Sequence, residues 1–184
     1  MLTQDHRNLE ALFKRVPGAL DDPEELSHLR ELISEHLSAH AAVEEQLLYP
    51  ALLDVAGDER PLVLRAIEDH HAAEQTLLET LTTPLGDERL GAKLALLADV
   101  VPAHAEREEA ELFDLARRAS ADLDLDALGE RAEQVKATAP SQPHPHLTGK
   151  PLVQQVLAVP TAIADRALST ARQVVSTILA RKAS

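Results

Sequence analysis

One ten-residue phrase is written twice in this chain, as HAAVEEQLLY from His40 and as HAEREEAELF from His104. Each copy has a histidine, a glutamate four residues later, a second glutamate directly after it, and a leucine and an aromatic at the end. The offset of 64 residues recurs: Asp5-His6 and Glu10 in DHRNLE stand one such period before Asp69-His70 and Glu74 in DHHAAE. A segment repeated in this way must build two like units, so the fold has to be one that pairs a unit with its own copy.

The residues around the repeat say what that unit is. Apolar side chains are plentiful but are nearly all Leu, Ala and Val, with two Phe, one Tyr and no Trp in 184 residues. That suits helix against helix better than a sheet, since strands favour β-branched and aromatic residues. The first helix is expected from about Leu2 to Val16, with Leu9, Leu12, Phe13 and Val16 on one face and a stop at Pro17-Gly18. DDPEEL opens the second, with Asp21 or Asp22 as cap, Pro23 in the first turn and Glu24 and Glu25 opposing the dipole. It carries Leu26 to Leu48 as far as Tyr49-Pro50, where the proline should kink or end it, with ALLD as a possible further turn.

GDERP, from Gly57 to Pro61, is a break. A third helix runs from there to about Leu81, and a fourth from about Glu88 to Arg118 with Pro102 inside it. DLDLDALGERAEQVKA makes a fifth, shorter one. The fold class is therefore all-α: an up-down-up-down four-helix bundle, one hairpin followed by its duplicate, with an additional C-terminal helical extension. The bundle and the short fifth helix occupy residues 1–137, a proline-rich linker residues 138–151, and a C-terminal amphipathic helix residues 152–184. The last has apolar residues at helical spacing (Val153, Val156, Leu157, Ile163, Leu168, Ala171, Val175 and Ile178) and is expected to lie on the bundle or on a second subunit, giving a homo-oligomer in the latter case.

Bulk properties narrow the function. With 31 acidic and 18 basic residues the net charge is −13, which repels nucleic acid and anionic membranes and favours cations. There is no cysteine, so disulfides, thiolate zinc sites, iron–sulfur clusters and cysteine nucleophiles are excluded. No Gly-x-Ser-x-Gly elbow and no phosphate loop occur. The N-terminus lacks an apolar stretch of signal-peptide kind and nothing later is long and apolar enough to span a membrane, so a cytoplasmic location is expected.

His6, His40, His70 and His104 fall one on each bundle helix, about 15 to 26 Å from the intervening turn at helical rise. In antiparallel neighbours such distances put the four at one level. Glu44 and Glu108 lie one turn beyond His40 and His104 on the same faces. Four imidazoles and two carboxylates thus converge. A buried carboxylate is costly unless paired, and a pair of metal ions removes the cost, with Glu44 and Glu108 as bridges and histidines capping either side. Zinc, iron, copper and nickel all accept such donors. His71 competes with its neighbour His70, and the 64-residue register favours His70. His36, His28, His144 and His146 are expected to stand apart, Tyr49 and Phe113 to be apolar walls, and Glu45 and Glu109 to face solvent or the groups around the site.

At these residues the chain resembles the hemerythrin-like (HHE) cation-binding family in its bacterial form. DHRNLEALF, HAAVEEQLLYPAL, DHHAAEQTLL and HAEREEAELF match the family's four helices in order, and APSQPHPH is similar to a tail of bacterial members. The resemblance covers about residues 1–146. It implies a non-haem centre of two iron ions, bridged by carboxylate and an oxo or hydroxo group, with one position open to dioxygen, peroxide or nitric oxide. By position, His6, His40, Glu44, His70, His104 and Glu108 would be the ligands. Respiratory hemerythrins carry a second histidine four residues after the first on the third helix. Here Glu74 stands in that place, as a seventh ligand or as a partner that orients His70, which favours redox or sensing over simple oxygen carriage. Whether such a centre only binds its ligand or also turns it over stays open at this level. Two other readings are a ferritin-like carboxylate-bridged oxidase, for which the Glu-x-x-His pairs Glu25/His28 and Glu68/His71 lie off the repeat, and an iron-responsive interaction module worked by the tail helix.

Overall fold

The structure, a computed structural model, describes residues 1–139. The expected linker from residue 140 on and the C-terminal helix lie outside the described residues. Among the described residues seven α-helices follow in order: α1 (Leu2–Ala19), α2 (Pro23–Val43), α3 (Tyr49–Val55), α4 (Arg60–Thr82), α5 (Arg89–Arg107), α6 (Phe113–Arg118) and α7 (Leu125–Thr138). There is no strand among the described residues. α1 packs on α2 and α5, and α4 packs on α5 and α2, which closes a four-helix ring; α7 lies outside it, against α2.

Local chemistry sets the joints. The Asp22 carboxylate accepts hydrogen bonds from the Glu24 and Glu25 amides at 3.1 Å, with Pro23 behind it, as a helix start requires. Gly57 opens the turn into α4 with φ +50°, a left-handed conformation that suits glycine. At the far end of α4, Arg30 donates to the Thr80 and Thr83 carbonyls at 3.1 and 2.8 Å, satisfying acceptors that the helix terminus leaves open. α1 differs from expectation: it passes through Pro17 for a further turn, because Ala19 is buried in the core and holds that turn in place.

The two longest helical runs among the described residues change pitch rather than simply kink. α2 passes into α3, and α5 into α6, through a five-residue π-helical segment, Glu44–Leu48 and Glu108–Leu112. The Tyr49 amide donates to the Glu44 carbonyl and the Phe113 amide to the Glu108 carbonyl, five residues back in each case. Such segments are rare and cluster at functional sites. Both begin on the repeated glutamate.

Burial divides the bundle into layers. One apolar cluster joins Leu9, Phe13, Leu29, Ile33, Leu77, Leu94 and Leu97. A second, at the other end, joins Tyr49, Leu52, Val63, Leu112 and Leu115. Between them lies a layer of polar side chains. A third, smaller cluster seats Ala132 of α7 on Val43 and Leu47.

Candidate metal centre

His6, His40, Glu44, His70, His104 and Glu108 all reach that polar layer, and all are buried, Glu44 completely. Their donor atoms form two groups close enough to hold an ion each: His6, His40, Glu44 and Glu108 in one, Glu44, His70 and His104 in the other. Glu44 belongs to both. Its Oε2 lies 3.0 Å from His40 Nε2 and 3.0 Å from His70 Nε2, and Oε1 lies 3.8 Å from His6 Nε2. Glu108 Oε2 lies 3.4 Å from His6 Nε2 and 3.8 Å from His104 Nε2. His70 Nε2 and His104 Nε2 are 3.0 Å apart. Four rings thus aim the same nitrogen at one space.

The surroundings repeat the pseudo-twofold pattern and cross it. Glu109 Oε1 meets His6 Nδ1 at 2.8 Å, and Glu45 Oε1 meets His70 Nδ1 at 3.2 Å. Each outer glutamate therefore holds the histidine of the other hairpin, which fixes the ring so that Nε2 points inward. Of the two places expected for Glu45 and Glu109, the structure selects the one beside the site. Asp69, 3.8 Å from His104 Nδ1, is held by Arg107 at 2.8 Å, and the buried Asp5 pairs with Lys136 of α7.

The aromatic walls break the symmetry. Phe113 stacks on His6, with centroids 6.0 Å apart and planes 6° from parallel. Tyr49 sets its edge to His70 instead, with its hydroxyl 2.9 Å from His70 Nε2 and 3.4 Å from Glu44 Oε2. It is a polar participant as well as a wall, a role its apolar flanks do not advertise. The repeat could have pointed to it, since Tyr and Phe at equivalent positions differ by one hydroxyl.

The electrostatics are those of a site that wants cations. Burial alone would lower the His6 pKa, but Glu108, Glu44 and Glu109 outweigh it and push it up to about 10. Burial would also raise Glu44, yet His40, His6 and His70 hold it well below the usual carboxylate range. Burial and the neighbouring Glu44 charge push Glu108 up to about 8, so it keeps its proton at neutral pH. His70 is raised by Glu44 and Glu45 against its burial, whereas burial and the charge on His70 push His104 down to about 3. Two adjoining buried carboxylates cannot both ionise without a positive partner.

Metal fits the donors present. His6 Nε2, Glu44 Oε1 and both Glu108 oxygens are buried without a hydrogen-bond partner. Leaving such atoms unpaired costs about 1–3 kcal/mol each, more if charged, and ion coordination would satisfy them together. Imidazole with carboxylate suits iron, zinc, copper and nickel. On the flank, a cavity of about 20 Å³ is bounded by His6, Leu37, His40, Ala73, Val101 and His104.

The other candidates stand apart. Glu74 is buried and borders the same cavity but belongs to neither group. His71 is turned out to Glu68 at 4.0 Å, and His28 is exposed, so neither Glu-x-x-His pair enters the layer. His36 is half-buried and outside both groups, while His144 and His146 lie outside the described residues.

A helical bundle whose repeated His and Glu side chains could hold metal is the architecture of hemerythrin-type domains. Residues 1–116 match the family model for the hemerythrin HHE cation binding domain, and the chain belongs to that family. Among solved structures it is similar to a hemerythrin HHE cation binding domain-containing protein from Mycobacterium kansasii, at 23% identity and a TM-score of 0.55 over 74% of this chain and 85% of that one. That likeness is one of fold. A protein of Nostoc sp. (strain PCC 7120) called a DNA nickase is 29% identical over 119 residues, 64% of this chain. The match spans only 32% of that relative's length.

No helix among the described residues is long and apolar enough to cross a membrane.

Proposed function

We propose that this chain is a non-haem di-iron protein that binds, senses or detoxifies dioxygen, peroxide or nitric oxide. The observation that carries the reading is the pair of donor groups joined through Glu44. His6, His40, Glu44 and Glu108 would hold one ion, and Glu44, His70 and His104 the other, with the Tyr49 hydroxyl beside the second group as a further oxygen donor. Bound iron would supply redox change and a Lewis-acidic position for a small ligand.

The chain's own residues do the rest. Glu109 and Glu45 hold the His6 and His70 rings, and Tyr49 and Phe113 wall the layer. The adjoining cavity of about 20 Å³ exceeds the ~10–15 Å³ that one water molecule requires. That volume is of the order of a small ligand such as dioxygen, peroxide or nitric oxide. Leu37, Ala73 and Val101 give the cavity wall an apolar part beside the histidines and Glu74. The net charge of −13 disfavours nucleic acid as the partner, so the nickase name of the Nostoc relative is not carried over.

The test is an optical one. Iron-loaded full-length protein should show charge-transfer absorption in the visible or near ultraviolet that changes on adding peroxide or nitric oxide. A colourless protein that keeps tightly bound zinc and takes up no iron would overturn the proposal.

A further inference from the structure

We propose that the chain's own C-terminal segment, residues 152–181, seats in an apolar groove at one corner of the bundle. α7 flanks that corner, where its Ala132 packs on Val43 and Leu47. A groove of about 390 Å³ lies there, bounded by Leu2, Val43, Leu47, Phe113, Leu128 and Ala132. Among the described residues, Arg117 is the one charged side chain on its wall. Met1 and Leu125, also on it, are 45% and 38% exposed, two of the five large apolar side chains so exposed among the described residues.

Pattern, charge and reach select the occupant. The groove is apolar, and Val156, Ile163, Ala171, Val175 and Ile178 recur at helical spacing in the tail sequence. Residues 1–139 carry 30 acidic and 13 basic side chains, a net −17, whereas residues 140–184 carry one acidic and five basic, a net +4. The exposed Asp122, Asp124 and Asp126 flank Leu125 along the chain, and Glu130 and Glu133 follow on α7. The tail's Arg166, Arg172, Arg181 and Lys182 are their complements. The groove lies along the first half of α7, and the chain leaves from its other end, at Thr138. The 14 residues of α7 measure about 21 Å at helical rise. The twelve residues 140–151, rich in proline, reach about 37 Å at polyproline rise, enough to turn back along α7. A second copy of the chain would have to overcome the repulsion of two strongly acidic bundles, whereas a tethered tail starts at high effective concentration.

Because the chain has no cysteine, introduced cysteines report this contact directly. A Cβ added at Gly129, on the groove wall, meets no atom within 4 Å. Full-length Gly129→Cys would be paired in turn with Val156→Cys, Ile163→Cys, Ala171→Cys and Val175→Cys on the apolar stripe, and with Ser169→Cys and Gln173→Cys opposite it. Mild oxidation should give a cross-link within one chain for at least one stripe position, several-fold faster than for either opposite position, and slower in high salt. Cross-links only between chains would hand the groove to a second copy and overturn the proposal. So would equal rates on both faces, no cross-link at any stripe position, or a tail that co-sediments with anionic vesicles and never cross-links. The experiment needs no metal, so its failure would leave the di-iron reading untouched.

Discussion

Glu109 Oε1 stands 2.8 Å from His6 Nδ1, although 103 residues separate the two along the chain. Its counterpart one repeat earlier, Glu45, holds His70 in the same way at 3.2 Å. Neither glutamate serves its own hairpin. The cross-over ties the two copies together at the polar layer, where a bundle without these contacts would have the His6 and His70 rings loosely aimed. Glu109→Ala or Glu45→Ala should therefore weaken metal affinity by about 10–100-fold while leaving helix content unchanged. Competition against a chelator of known affinity, alongside circular dichroism, measures both; unchanged affinity would remove the positioning role.

Metal uptake should release protons. At pH 7 the metal-free site keeps a proton on His6 (about 10), on Glu108 (about 8) and on His70, whose pKa is raised. Ions occupying these atoms must displace them, so loading both groups should liberate about two to three protons per chain at pH 7. A pH-stat titration with ferrous or zinc ion reads the number. Release of none would mean that the metal binds elsewhere.

The stability of the metal-free protein should peak on the acid side of neutrality. His6 and His70 are raised, so what they contribute is fully present below the unfolded value of about 6.5 and is lost as pH climbs through the folded values. Glu108 is also raised, so the folded state holds an extra proton above about pH 4.3, and stability falls as pH rises towards 8. Glu44 is depressed, so its contribution is present above about 4.3 and disappears in acid. His104 is depressed too, and its contribution fades from about 6.5 down to 3. Denaturant midpoints should be highest between about pH 5 and 6.5. Metal should extend the plateau into the alkaline range and be released in acid, below about pH 5, as protons reclaim the ligands. Superimposable pH profiles with and without metal would contradict this.

Tyr49→Phe restores the symmetry that the repeat lacks. The fold should survive, since Phe113 occupies the equivalent place. Losing the hydroxyl that reaches His70 and Glu44 should cost about 1 kcal/mol of stability in the metal-free protein. Urea unfolding of the two proteins at one pH gives the difference, and a variant as stable as the parent would make the hydroxyl a bystander.

Within the apolar layer below the site, Leu29 and Ile33 are completely buried. Either one changed to alanine should lose about 2–5 kcal/mol by transfer and cavity terms. Thermal or chemical denaturation checks it; a loss under 1 kcal/mol would place the side chain in softer surroundings than its burial indicates.

The bundle was legible because heptad-like runs such as Leu26, Leu29, Ile33 and Leu37 have the helical period, and a repeat with a fixed offset leaves few ways to pair. The convergence of His6, His40, Glu44, His70, His104 and Glu108 was legible for the same reason: residues at matching heights on antiparallel helices meet. The π-helical segments were not. A pattern of histidine, three residues and glutamate reads the same whether the next turn has 3.6 residues or more. At the start of the first such segment Glu44 faces the centre and its neighbour Glu45 faces His70. The Tyr49 hydroxyl stayed hidden because an aromatic beside leucines and a proline reads as packing. Lys136 of α7 reaches Asp5 across 131 residues, and no local pattern announces such a pair.

The proposed di-iron reading requires Glu44 to be shared between two ions, and metal stoichiometry tests that most directly. Full-length protein loaded anaerobically with ferrous iron, freed of excess metal and digested for elemental analysis should hold two ions per chain. Glu44→Ala, measured beside it with its helix content verified, should hold less than one. A parent chain that retains fewer than one ion, or a Glu44→Ala variant that still retains two, would contradict it.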